Sequence, residues 1–182
     1  MRKLTCPPGT ETLGQNLMAF TDNLQGSETS PVMEKYGLID IDPHAWYPAS
    51  NLLDGLNELA EKTNVSTNLT AIGMKIGEIV PMPPALPNPT LEEVLLIWDD
   101  IYQAIHRNGD VGYIRCEKVA DKHLKTTHSD MYPDDLSYGV LYGYGRRFLP
   151  RGSKFTVFYD PDVKARDYGG DGDVTIIHIK WE

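Results

Sequence analysis

The chain has 182 residues, 41% of them hydrophobic and 24% charged, the proportions of a folded globular domain and not of a disordered chain. No apolar run reaches the roughly 18 residues that a bilayer-spanning helix needs, and two cysteines, Cys6 and Cys116, are too few to staple a secreted scaffold, so the sequence reads as cytoplasmic, with reduced thiols and no membrane insertion. The net charge of −9 argues against nucleic acid as a partner, and the 12 basic residues after residue 106 are matched by 12 acidic ones, which leaves no phosphate-binding stripe.

Residues 1–30 mix Pro, Gly, Ser and Thr around one short helical pattern at 13–20 and read as a weakly determined arm ahead of a single domain over 31–182. Residues 36–47 read as a loop punctuated by Gly37 and Pro43. A helix over 50–62, capped by Ser50, aligns Leu52, Leu56 and Leu59 on one face. A second over 67–79 turns Leu69, Ile72, Ile76 and Ile79 inward, and the prolines at 81, 83, 84, 87 and 89 then demand an extended connector. Thr90-Leu-Glu-Glu93 has the form of a capping box, behind which Leu91, Val94, Leu95, Trp98, Ile101, Tyr102 and Ile105 recur at helical spacing until Asn108-Gly109 stops the helix.

The period then changes to two. Residues 111–119 and 122–128 form a predicted hairpin, 134–148 a helix capped by Asp134 or Asp135, and 154–159 and 174–181 two more strands. Helices first, then strand–strand–helix–strand–strand with short connections, make an α+β fold: N-terminal helices packed on a twisted antiparallel sheet of about four strands.

Three groups of residues invite a functional reading. Cys116, His123, His128 and His178 are weak candidates for a metal such as zinc, because thiolate and imidazole suit that ion, but no established spacing is met and strand alternation puts His123 and His128 on opposite faces. The acidic loop from Asp160 to Asp173 lacks the register of a calcium hand. Gly139 and Gly143, one helical turn apart, leave a bare groove that something must approach closely: the sheet, another helix, a ligand or a partner subunit. Tyr138 and Tyr142 flank that groove, Arg146 either compensates the helix dipole or clamps a carboxylate, and Trp98 and Tyr102 lie on the preceding aromatic helix; together these form the candidate ligand-binding set. No nucleophile elbow, zinc-protease motif or phosphate loop is present, so nothing positive marks an enzyme.

The stretch Tyr132-Pro-Asp-Asp-Leu-Ser-Tyr-Gly-Val-Leu-Tyr-Gly-Tyr-Gly-Arg-Arg-Phe, followed by Phe155-Thr-Val-Phe-Tyr and the closing Gly170-Asp-Gly-Asp-Val-Thr-Ile-Ile-His-Ile-Lys-Trp, resembles the ligand-binding superfamily of 4-vinyl-reductase domains, haem-nitric-oxide-binding domains and TRAPP subunits. The resemblance implies helices on a twisted antiparallel sheet with an apolar cavity between them. With the glycine groove, Tyr138 and Tyr142, and the aromatic helix bearing Trp98 and Tyr102, the expectation is a sensor or binding domain for a small apolar or aromatic ligand. The alternatives are an interaction subunit, as a homodimer or complex component, and a metal- or cofactor-dependent enzyme of the vinyl-reductase type. Two departures bear on cofactors. Where vinyl-reductase-like members are expected to carry metal-binding cysteines, this chain has Asp134-Asp135 and no cysteine in its final hairpin, which disfavours zinc. The haem branch needs an axial histidine and a Tyr-x-Ser-x-Arg clamp; that clamp is missing, which disfavours haem, and His106, read as lying on the Trp98 helix, is the remaining candidate ligand.

Overall fold

A computed structural model describes residues 1–23, 29–62 and 66–182. The elements run β1 (Glu11–Leu13), α1 (Gly14–Thr21), α2 (Ser30–Lys35), β2 (Trp46–Pro48), α3 (Ala49–Lys62), α4 (Ser66–Ile79), α5 (Leu91–Leu96), α6 (Trp98–Ala104), β3 (His106–Arg107), β4 (Ile114–Ala120), β5 (His123–His128), α7 (Asp134–Phe148), β6 (Phe155–Tyr159) and β7 (Thr175–Trp181). The fold is α+β. The C-terminal half forms the antiparallel sheet β4-β5-β7-β6, and a small second sheet, β2-β1-β3, closes the other end. Alternation sorts the faces: Leu124, Thr126 and His128 of β5 turn into the core with Ile177 and Ile179 of β7, while His123 points to the other side.

α7 has the limits its sequence pattern implies, with Asp134 and Asp135 in the first turn and Arg146 and Arg147 in the last, each sign matched to the dipole end it meets, but neither aspartate caps it: Pro133 is the N-cap, and the Asp134 N–H donates to Asp167 Oδ2 at 2.7 Å. It lies against α4 with backbone touching backbone. A Cβ added at Gly139 would stand 2.2 Å from the Thr70 carbonyl oxygen, and one at Gly143 would stand 2.3 Å from that of Met74; Gly73 and Gly77 of α4 are equally closed against α7. The groove that the sequence left open is therefore filled by α4.

Two expectations are corrected. The aromatic helix is two helices: the capping box at Thr90 forms, with Glu93 N donating to Thr90 Oγ1 and Thr90 N to Glu93 Oε2, but the chain breaks at Ile97 (φ −101°, ψ 6°) before α6 begins. His106 consequently falls beyond α6, as the first residue of β3. The N-terminal stretch is no loose arm either. Leu4, Leu17 and Phe20 are in the core, and Arg2 reaches a buried carboxylate cluster, where it donates to Asp167 Oδ1 at 2.9 Å and Asp134 Oδ1 at 3.2 Å. The partners of Arg2 and Leu4 are far away in sequence, Asp134 and Asp167 for the one and Asn57 for the other.

Candidate functional site

A cavity of about 560 Å³ opens among α1, α4, α6 and α7, with Ile114 of β4 closing one side. Its walls are Ala19 and Phe20 of α1, Ile76 and Ile79 of α4, Trp98, Ile101 and Tyr102 of α6, and Leu136, Ser137, Val140 and Tyr144 of α7. The helices aim these side chains inward through ordinary helical spacing: Ser137, Val140 and Tyr144 are three and four apart on one stripe of α7, beside the glycine stripe that seals it to α4. Trp98 is held edge-on between His128 (5.1 Å between centroids) and Tyr144 (5.3 Å). The enclosure is formed chiefly by helices and less by the sheet than the sequence implied.

One end is polar, and the hydrogens shared by His106, Tyr132, Asn16 and Tyr102 can be assigned. His106 Nδ1 faces the Tyr102 carbonyl at 2.6 Å, an oxygen that only accepts, so Nδ1 carries the hydrogen. His106 Nε2, 2.8 Å from the Tyr132 hydroxyl, therefore accepts from it. Asn16 donates to the same hydroxyl at 2.7 Å and to Thr12 at 2.9 Å, and Tyr102 donates to the Val111 carbonyl at 2.6 Å. Burial lowers the His106 pKa, against the smaller opposing effects of the Tyr102 carbonyl and Asp130. The neutral ring is thus the folded form. The stability it contributes is complete above the unfolded imidazole value of 6.5 and is lost as the pH falls through the lower folded value. A His106→Gln variant is expected to show a flatter dependence of the urea midpoint on pH below 6.5 than the parent chain; parallel curves would remove His106 from the acid response.

Asp130 lines the same end, wholly buried. Burial alone would raise its carboxyl, but the His128 ring, the Arg166 charge and the Tyr132 N–H outweigh it and hold the group below the usual carboxylate range. Thr126 Oγ1 gives its hydrogen to the Ile177 carbonyl (3.1 Å), so His128 Nε2 donates to Thr126 at 2.9 Å while Nδ1 faces Asp130 Oδ2 at 3.2 Å.

Of the candidate ligand-binding set, Trp98 and Tyr102 line the cavity. The other five are placed elsewhere. Tyr138 donates to the Val157 carbonyl at 2.8 Å and packs on Tyr159, Tyr142 packs on Phe155, Gly139 and Gly143 are closed by α4, and Arg146 pairs with Glu78 at 3.0 Å. The glycine stripe, which the sequence left open to the sheet, another helix, a ligand or a partner subunit, lies against α4, and the neighbouring stripe of α7 lines the cavity. Phe20, Ile76 and Val140 do not stand out in the sequence, because apolar residues at helical spacing look alike whether they meet a core or a cavity, and Asp130 and Ser137 belong to no motif.

The metal candidates do not converge. His123 Nε2 and His178 Nδ1 are 2.8 Å apart on the outer face of the sheet, with Asp160 on the far nitrogen of His178, also at 2.8 Å. His128 is on the inner face, and the Cys116 thiol is pushed up to about 11 by burial and by Glu92 and Glu117, so it is not a thiolate at neutral pH. Among the described residues no three His, Cys, Asp or Glu side chains are placed to hold a metal ion, and no helix is long and apolar enough to cross a membrane.

No protein-family model matches the sequence, and no curated protein does. Solved structures do match. An H-NOX protein from S. oneidensis in the Fe(II)NO ligation state superposes with a TM-score of 0.65 at 13% identity, covering 93% of this chain and 99% of that one. A mutant of T. tengcongensis H-NOX gives 0.61 at 15% identity, covering 93% of each chain. An oxygen-binding H-NOX domain related to soluble guanylate cyclases, in its oxygen complex, gives 0.60 at 15% identity, covering 93% and 92%. At such identities the likeness establishes a shared fold, that of the haem-nitric-oxide-binding branch of the resemblance.

Proposed function

We propose that this chain is a small-molecule-binding domain of the sensor kind, which holds an apolar ligand among α1, α4, α6 and α7. The observation that carries this reading is the cavity. Its volume of about 560 Å³ falls within the range of clefts and cavities that hold small molecules. Its lining has the matching chemistry: an apolar body of Phe20, Ile76, Trp98, Ile101 and Val140, with polar groups gathered at one end. The neighbours in this fold are described with iron ligation states and bound oxygen, so the architecture is compatible with an internal ligand.

Filling the cavity tests the reading. Ile101 is half-buried with its side chain on the cavity. In Ile101→Trp the indole is expected to occupy that space, with binding of the neutral fluorophore N-phenyl-1-naphthylamine reduced about tenfold or more and Tm unchanged or raised, unlike the ~1–3 kcal/mol penalty of overpacking a filled core. A variant that keeps its Tm and binds the fluorophore as the parent does removes the cavity as the binding site.

A further inference from the structure

We infer that the cavity admits an uncharged apolar molecule bearing a neutral hydrogen-bonding group, and that it does not fit haem; this rests on the cavity being the ligand site proposed above. Haem would bring two carboxylates and an iron in need of an axial donor. Among the described residues the lining contains no lysine or arginine, and its two ionisable carboxyl groups, Asp22 and Asp130, have the sign that repels a propionate. The basic side chains nearby are engaged elsewhere. Arg147 donates to the Val80 carbonyl at 2.7 Å, Arg2 and Arg166 converge on Asp134, and His128 faces Asp130. An anion buried here would have no counter-charge, the least favourable way to bury one.

The axial donor is missing as well. His106 does not line the cavity, and both its ring nitrogens are taken, Nδ1 by the Tyr102 carbonyl and Nε2 by the Tyr132 hydroxyl. Freeing Nε2 for a metal would strand a buried phenol hydrogen. On the α6 face of the cavity the aromatics are Trp98, whose indole N–H is a donor without a lone pair, and Tyr102, whose hydroxyl is given to the Val111 carbonyl at 2.6 Å. His44, the imidazole that does line the cavity, is exposed at its edge.

Ser137 supplies the positive half of the specificity. It is 5% exposed, its side chain faces the cavity, and no group among the described residues takes its hydroxyl. A hydroxyl can donate and accept, so it suits a ligand alcohol, ether or carbonyl set in an otherwise apolar body.

The test uses the whole chain and matched probes. N-phenyl-1-naphthylamine and 8-anilinonaphthalene-1-sulfonate share an arylamine core and differ by one sulfonate. The neutral probe is expected to bind at least about tenfold more tightly, and haemin is expected to give no stoichiometric Soret band. Ser137→Ala should weaken 1-naphthol about fivefold and leave naphthalene unchanged, the loss of one hydrogen bond. Equal affinity for the two fluorophores, or one-to-one haemin binding whose Soret band changes in His106→Ala, overturns the ligand class while the cavity remains a binding site. Failure of every probe, the neutral one included, overturns the reading of the cavity itself, and this inference with it.

Discussion

Gly139→Ala is expected to destabilise the fold by about 3 kcal/mol, a large effect for a single methyl group. In a chain of 182 residues that loss is a fall of roughly 6–12 °C in Tm. In most helix interiors the same change is favourable by up to ~1 kcal/mol, because glycine forfeits more backbone entropy than alanine on folding. Here contact reverses the sign. The added Cβ would meet the Thr70 carbonyl oxygen at 2.2 Å and the Gly73 Cα at 2.9 Å, both of them backbone atoms that no rotamer change can move aside. α4 and α7 must separate, and since Ile76 and Val140 on the same two helices form cavity wall, the cavity deforms with them. Gly55→Ala is the control. Gly55 is also helical and enclosed, but its nearest neighbour would be a Leu38 side-chain atom at 3.5 Å, an ordinary contact, so a gain of ~0.5–1 kcal/mol is expected. Thermal and urea unfolding of the pair decides the matter: Gly139→Ala as stable as the parent would mean that the helices are not in backbone contact.

Asp134→Asn is expected to lose about 3–5 kcal/mol, the range found when one partner of a buried ion pair is removed. The carboxylate has no solvent exposure, and five donors use it. Oδ1 accepts from Arg166 Nε (3.1 Å), Arg166 Nη2 (2.8 Å) and Arg2 Nη1 (3.2 Å), and Oδ2 from the Asp167 N–H (2.8 Å) and the Thr175 hydroxyl (2.7 Å). The loss arises mainly from the Arg166 guanidinium, which is nearly as buried and would be left without its carboxylate. Arg2→Ala should be milder, since that side chain is partly exposed and also pairs with Asp167. In a double-mutant cycle Asp134→Asn/Arg166→Gln should lose less than the sum of the single variants, with a coupling of at least ~1 kcal/mol. Strict additivity would mean that the two side chains do not act as a pair. The N-terminus is tied to the start of α7 through Arg2, so the Asp134 variant should also admit faster proteolysis of the first residues.

Much of the architecture is legible in the local sequence. The capping box at Thr90, the 3.6-residue spacing from Leu91 onward, the period-two runs on either side of Ala120-Asp121 and the limits of α7 are local signals, set by which neighbours in sequence share a face. The break at Ile97 is not legible, because Trp98, Ile101 and Tyr102 continue the same apolar periodicity into α6 and no glycine or proline marks the boundary. The place of Leu4 and Arg2 is hidden for another reason: their partners are Asn57, Asp134 and Asp167, between 53 and 165 residues away.

The candidate site divides the same way. Residue types alone indicate that α7 must press a bare stripe against something, and that no Tyr-x-Ser-x-Arg clamp occurs in the sequence. What covers the stripe, and which stripe beside it faces empty space, is decided by how α1, α4, α6 and α7 come together. Local sequence determines the faces a helix has, through a spacing that every residue shares with its neighbours. Whether a given face meets packed atoms or a void depends on volumes contributed by side chains as distant as Ala19 and Tyr144, and only the assembled chain adds those volumes up.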